Sequence, residues 1–299
     1  LKHVVLSEKP PHKGIGYIVM SLRIYLLFLF FGFTAVGMVS AKNTDSESFL
    51  SLSGEPIQGN LMIGTTLPGS RVIHDDKSVR VSETGVFAIG FGRNNPPEST
   101  LKVVLPDGKT ATKNLKVKQR EYNIQRIDGL PPSKVTPMGK DVLKRIRSET
   151  AMVKKARKLD DKRLDFLDGF DWPLTGPITG VYGSQRVLNG QPRRPHYGVD
   201  VAAPVGTPVR APADALVTMA HPDMYYSGGT LIMDHGHGIS SSFLHLHKVL
   251  VKEGQYVKRG EVVAEVGSKG RSSGPHLDWR INLFNKRLDP QLFAKPMNK

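Results

Sequence analysis

The sequence predicts a mostly β protein with two β regions joined by a helical connector. Three observations carry that prediction. Apolar residues alternate over short runs, as in Leu101, Val103 and Leu105, the period of a half-buried strand. Turn formers such as Pro68-Gly69, Asp107-Gly108 and Gly228-Gly229 punctuate those runs. Helical spacing appears only between them, around Val142, Ile146, Val153 and Ala156.

The first stretch, 1–41, reads as a targeting segment. Met20 precedes Ser21-Leu22-Arg23 and an apolar run from Ile24 to Val39, and Val39-Ser40-Ala41 offers small residues where a signal peptidase reads. A secretory signal peptide starting at Met20 and cleaved after Ala41 is expected. The competing reading is an uncleaved anchor, for which the run is slightly short. Residues before Met20 read as an over-long gene start.

Residues 42–128 read as a small β-sandwich-like domain. Val79 and Val81 alternate, as do Tyr122 and Ile124, with turns at Asp75-Asp76, Thr84-Gly85 and Asn94-Asn95-Pro96-Pro97. His74 with Asp75-Asp76 reads as a solvated turn. No catalytic constellation is visible here, so a structural or wall-docking module is expected.

Residues 129–169 read as a linker with a helix. Gly129-Leu130-Pro131-Pro132 opens it, Thr136 can cap, and Pro137 suits the first helical position. The apolar spacing continues through Leu164 and Leu167, and Gly169 ends it. A positively charged connector, in one piece or split in two, is expected.

From 170 to 295 the composition shifts to Gly-rich β, read as one largely antiparallel domain. Three of its segments carry metal-binding side chains. His196 and Asp200 stand four apart in a Gly/Pro-flanked polar run. His245 and His247 sit in an alternating run, and His276 and Asp278 open another. Residues two apart on a strand share a face. Each pair can therefore present imidazole or carboxylate, both standard zinc donors, to one side.

Composition narrows the function. The chain has 299 residues and no cysteine, which excludes disulfides and thiolate sites and leaves His, Asp and Glu for any metal. A net charge of +15 favours an anionic partner: nucleic acid, membrane or a carboxylate-bearing cell wall. Nucleic acid is not expected, since there is no basic helix, aromatic stacking signature or zinc-finger spacing.

The C-terminal region resembles the lysostaphin/LytM-type zinc metallopeptidase family. The likeness runs through Trp172-Pro173, Gly180-x-Tyr182-Gly183, His196-x-Gly198-x-Asp200, Ala203-Pro204-x-Gly206-Thr207-Pro208-Val209, Asp234-His235-Gly236, His245-Leu246, Gly254-x-x-Val257-x-x-Gly260 and Gly274-Pro275-His276-Leu277. It implies an open antiparallel sheet with a groove, one zinc ion per chain, and hydrolysis of peptide cross-links in bacterial peptidoglycan. His196 and Asp200 match two metal ligands. His245 and His276 match the two catalytic histidines, one able to act on water and the other to hold the oxyanion.

The departure is at the third ligand, where the family's His-x-His becomes His276-x-Asp278. Asp278 is read as the ligand, which makes the site more anionic and a poorer Lewis acid and opens it to harder metals. The alternatives are loss of metal binding and His247 as ligand. The expected protein is a periplasmic or cell-envelope endopeptidase acting on peptidoglycan stem peptides. The alternative is a non-catalytic relative that activates a cell wall amidase. Of the remaining candidates, His235 reads as structural, His237 as surface, His221 as a loop residue, and Tyr182 and Tyr225-Tyr226 as packing before substrate contact. Arg193-Arg194 reads equally as a solvated loop or an attractor of wall carboxylates.

Overall fold

The computed structural model describes residues 49–129 and 139–297. The expected signal segment and the capping pair Thr136 and Pro137 lie outside the described residues.

Residues 49–117 form two small sheets over a shared core. One orders Ser51–Ser53, Leu61–Thr65 and Val86–Gly90; the other orders Lys77–Val79, Arg71–His74, Glu98–Val104 and Thr110–Lys116. Strand Glu98–Val104 shows why the pattern folds so. Ser99, Leu101 and Val103 turn inward while Glu98, Thr100 and Lys102 face water. Leu101 and Val103 meet Val72, Phe87 and Ile89, all fully buried.

His74 is not in a solvated turn. It ends strand Arg71–His74, is 4% exposed, and its Nε2 lies 2.8 Å from Ser99 Oγ. Only Asp75-Asp76 turn outward, with φ of 47° and 61°. Asp75 Oδ1 accepts from Ser99 Oγ at 2.7 Å and from the Thr100 N–H at 3.0 Å. The reason is register: His74 stands opposite Leu101, so it belongs to the inward row.

Burial, reinforced by Lys286, drives the His74 pKa from 6.5 down to about 4, and burial takes His235 to about 4 as well. In that interval the unfolded chain binds protons that these two imidazoles refuse in the fold. Their stabilisation is complete above pH 6.5 and is lost as pH falls toward 4, by on the order of 3 kcal/mol each. Denaturant unfolding at about pH 7 and about pH 4.5 checks this. The wild type is expected to lose stability at the lower pH and His74→Gln to lose less; equal slopes contradict the assignment.

The connector forms one helix, Lys140–Ala156. It does not continue to Gly169. Arg157 leaves the helical register and its side chain turns inward, only 9% exposed. Beyond it, tertiary burial outcompetes the local spacing. Phe166 and Phe170 are pulled into the core of the C-terminal sheet. Arg163 is held by Asp161, Asp165 and Asp234. The helix is pinned to the end of strand Ala215–Met224 by Arg145, which donates to the Asp223 carbonyl at 2.7 Å, and by Glu149, which accepts from the Tyr225 N–H at 2.9 Å.

The C-terminal sheet is antiparallel throughout. It orders Tyr256–Val257, Ala215–Met224, Gly228–Asp234, Ile239–Leu246, His276–Leu283, Val199–Ala202 and Ile178–Gly180, with Lys286–Leu288 paired to His276–Leu283. One face is the core: Val199, Val201, Leu231, Phe243, Leu277, Trp279 and Ile281 are fully buried. Directly opposed residues on neighbouring strands share a face. The other face therefore carries Asp200 opposite Asp278, Leu244 opposite Asp278, Ser242 opposite Arg280, and Ser240 opposite Asn282. At one end of that face Ala156 packs with Met219, Met224 and Ile232. The N-terminal module rests on the same body. Leu61 and Ala88 join the core of the C-terminal sheet, and Arg120 donates to Asp289 at 2.9 Å.

Candidate metal centre and catalytic groups

His196 lies in the loop before strand Val199–Ala202. Two backbone hydrogen bonds fix that loop: the Gly183 N–H donates to the His196 carbonyl and the His196 N–H to the Ser184 carbonyl, each at 2.8 Å. Asp200 sits on the strand, flanked by Gly180 on one neighbour and Asp278 on the other. The two glycines nearby make room for the carboxylates. A Cβ on Gly180 would stand 2.1 Å from Asp200 Oδ2, and one on Gly198 would stand 2.5 Å from Asp278 Oδ1.

The donor atoms of His196, Asp200 and Asp278 lie within 4.8 Å of one another. His196 Nε2 is 3.2 Å from Asp200 Oδ1, yet the two are not aligned for a hydrogen bond. Both are buried without a hydrogen-bond partner among the described residues. Buried polar atoms left bare are costly unless something satisfies them. A cation at their common focus does so, and the donor set, one imidazole and two carboxylates, suits zinc. Burial opposes protonation of His196, but Asp200 and Asp278 outweigh it and pull its pKa up. That is the field a cation would meet.

Asp278 is also held from the other side. Arg280 Nε donates to Oδ1 at 2.9 Å and to Oδ2 at 3.1 Å, and a terminal guanidinium nitrogen also bonds Oδ2. Burial pushes the carboxyl up, but Arg280 dominates and holds it at about 2. A carboxylate offers roughly four lone-pair sites, so the fork of Arg280 leaves capacity toward His196 and Asp200.

His245 and His276 stand beside this group, ring centroids 4.9 Å apart. His245 Nδ1 is 2.7 Å from the Lys269 carbonyl and His276 Nδ1 is 2.8 Å from the Gly274 carbonyl. A carbonyl only accepts, so each Nδ1 carries the proton and each neutral ring keeps its Nε2 lone pair. His276 Nε2 is 3.8 Å from Asp200 Oδ1. Burial lowers the His245 pKa. His245 has φ of 64°, a strained conformation of a kind that collects at functional sites.

All five expected site residues thus converge. His247 does not: strand alternation breaks at His245, and His247 is exposed. His235 is structural as expected, bonded at both ring nitrogens to the Asp214 carbonyl and Ser241. His237 is not on the surface but 3% exposed against Phe166. Its positive φ of 51°, between two glycines, folds it back under the connector. Tyr182 is packing, with its hydroxyl donating to the Arg287 carbonyl. Arg280 was missed, while Gly180 and Gly198 were noted only as motif residues with no role attached. Arg280 was accessible, standing two residues beyond Asp278 on the same strand face.

Gly198→Ala is expected to weaken binding of a zinc probe ion and cost about 1–3 kcal/mol of stability, since the new methyl meets Asp278, the Trp279 carbonyl and Arg280 together. Competition with a chelating dye and a denaturant titration read the two effects.

Residues 194–290 match the family model of Peptidase family M23. Peptidoglycan DD-endopeptidase ShyB of Vibrio cholerae is 37% identical over 133 residues, 44% of this chain and 28% of that protein. Peptidoglycan DD-endopeptidase ShyA of the same organism is 43% identical over 105 residues, 34% of this chain and 24% of that protein. The chain thus spans about a quarter of the length of these curated relatives. A crystal structure of a protein from Pseudomonas aeruginosa assigned to peptidase M23 aligns with a TM-score of 0.60 at 29% identity, covering 80% of this chain and 95% of that one.

Proposed function

We propose, from the match of residues 194–290 to the model of Peptidase family M23, that this chain is a zinc endopeptidase cleaving peptide cross-links of bacterial peptidoglycan in the cell envelope. The observation that carries this reading is the pair of bare buried donors, His196 Nε2 and Asp200 Oδ1, facing Asp278 beside two histidines with free Nε2 atoms.

His196, Asp200 and Asp278 would hold the ion. When bound, it supplies Lewis acidity toward the scissile carbonyl and toward water. The chain's own groups do the rest. His276 Nε2 accepts the proton of the attacking water, and Asp200, 3.8 Å away, stabilises the imidazolium that forms. That Nε2–H then becomes a donor, first to the oxyanion and then to the leaving amine. His245, kept neutral by burial, accepts a hydrogen bond from the same water and orients it. The net charge of +15 favours residence on the anionic wall, and a periplasmic address follows from the substrate.

A second reading draws on one observation: Arg280 engages both oxygens of Asp278. A site closed in this way suits a non-catalytic partner of a wall amidase. One experiment separates the two. The full chain is incubated with purified cross-linked muropeptide dimers, with and without a chelator, and its metal content is measured. Bound zinc with chelator-sensitive release of monomers supports the endopeptidase. Metal-free protein that leaves dimers intact but stimulates an amidase rejects it.

A further inference from the structure

The loop that carries His196 is held by peptide groups that the N-terminal module holds in turn. Three consecutive peptide units do this. The first, between Tyr182 and Gly183, donates its N–H to the His196 carbonyl at 2.8 Å. The second, between Gly183 and Ser184, offers its carbonyl to Arg93 Nε at 2.8 Å. The third, between Ser184 and Gln185, accepts the His196 N–H at 2.8 Å, and its own N–H donates to the Asn123 carbonyl at 2.9 Å. The Gln185 side chain adds a hold on the same loop, donating to the Arg193 carbonyl at 2.6 Å.

Arg93, Tyr122 and Asn123 all come from the N-terminal side of the connector. Arg93 lies in the loop after strand Val86–Gly90, and its guanidinium sits 4.3 Å from the centre of the Tyr122 ring. That ring meets Tyr182 edge-on, centroids 6.2 Å apart. It also lies against Gly183, where a Cβ would stand 1.9 Å from Tyr122 Cδ1. Past Asn123, strand Ile124–Ile127 runs parallel to Gln185–Leu188 and sets Gln185 against Ile124. A peptide unit is planar, so a bond at its N–H fixes the direction of its carbonyl. Bonds in series through one amide also strengthen one another. Asn123 therefore acts on the His196 N–H through a single rigid unit, and Arg93 fixes the unit before it.

We propose that Arg93, Tyr122 and the Asn123 backbone form a positioning clamp on His196, so that the N-terminal module completes the metal centre of the C-terminal sheet. The proposal rests on the metal-centre reading of His196, Asp200 and Asp278. The orientation of a ligand is part of its affinity: groups that hold a ligand from outside change metal binding by about 10–100-fold. A module that served only to dock on the wall would need none of these contacts with residues 182–185. The clamp makes Arg93 and Tyr122 positioning residues, acting on the ion through the backbone of the His196 loop.

The test reads metal binding rather than turnover and uses the full chain. Arg93→Ala is expected to weaken zinc about tenfold in competition with a chelating dye, the lower end of the range for outer groups. The control is Arg80→Ala. Arg80 ties the module to the connector instead, donating to the Asp160 carbonyl at 2.8 Å. Its loss is expected to leave zinc affinity within about twofold, as for an independent site. Cobalt is the second probe, because the absorption bands of the bound ion follow its coordination geometry. A displaced His196 shifts those bands in Arg93→Ala, whereas partial unfolding only lowers their amplitude. Unchanged zinc affinity in Arg93→Ala overturns the clamp. So does an equal loss in Arg80→Ala, the mark of general loosening, and so do cobalt bands that fade without shifting. A wild-type chain that takes up neither ion removes the metal centre and the clamp with it; a wild-type chain that binds zinc no better than Arg93→Ala does removes the clamp alone.

Discussion

Replacing His276 by alanine leaves the ion bound and lowers turnover of cross-linked muropeptides by about 10²–10⁴-fold, the range of a lost general base. The separation of the two effects is the point. His276 Nε2 lies 3.8 Å from Asp200 Oδ1, yet its ring is anchored elsewhere, by Nδ1 on the Gly274 carbonyl. The donor group is His196, Asp200 and Asp278, and it stays intact without His276. Asp200 keeps its place because Val199–Ala202 is paired on both sides, to Ile178–Gly180 and to His276–Leu283. The backbone pairing of residue 276 with Ala202 does not depend on its side chain. Metal content after dialysis, set beside the rate of dimer cleavage, reads both quantities. A variant that loses its metal would make His276 a ligand; one that keeps full activity would transfer the role of base to His245.

How much of this was legible in the sequence depends on the range of the interaction. Alternation alone placed Asp278 beside His276 on one face, because a period of two is a local property of the strand. Opposition of Asp200 to Asp278 needed the pairing of strands far apart in the chain, and only the ordered motifs pointed to it. The same local rule misled at His247. A residue with positive φ at His245 ends the alternation, and neither composition nor spacing signals such a turn in a non-glycine residue. The connector failed in the opposite direction. Leu164 and Leu167 keep helical spacing, but the burial of Phe166 and Phe170 against the sheet decides the backbone there. His74 and His237 look like surface residues in sequence because histidine tolerates either environment. Which one it meets is set by the partner strand or loop, not by its neighbours. Arg157 has no sequence signal at all, being one basic residue after Lys154 and Lys155 in the last turn of the connector helix.

Asp278→Ala is expected to produce two losses at once, and a second substitution separates them. The first is metal. Loss of outer partners alone weakens metal sites by about 10–100-fold, so removal of a ligand should weaken zinc binding by at least about 100-fold. The second is stability. Arg280 is largely buried and spends its fork on Asp278. Without the carboxylate its charge stands unpaired beside Arg157 and Arg287, a state that costs about 3–5 kcal/mol. Replacing the pair together, Asp278→Ala with Arg280→Met, removes the stranded charge and should restore most of the stability. It cannot restore the donor. Arg280→Met alone sharpens the assignment. With neutral His196, the two carboxylates and one guanidinium sum to about −1, and loss of the guanidinium takes the site to about −2, which favours a divalent cation through Coulomb attraction. Zinc should then bind more tightly while Asp278 stays in place. Denaturant midpoints and zinc competition on the three variants give the full cycle. If Asp278→Ala keeps its zinc while losing stability, Asp278 serves only to neutralise Arg280, and His196 and Asp200 must find their third ligand elsewhere.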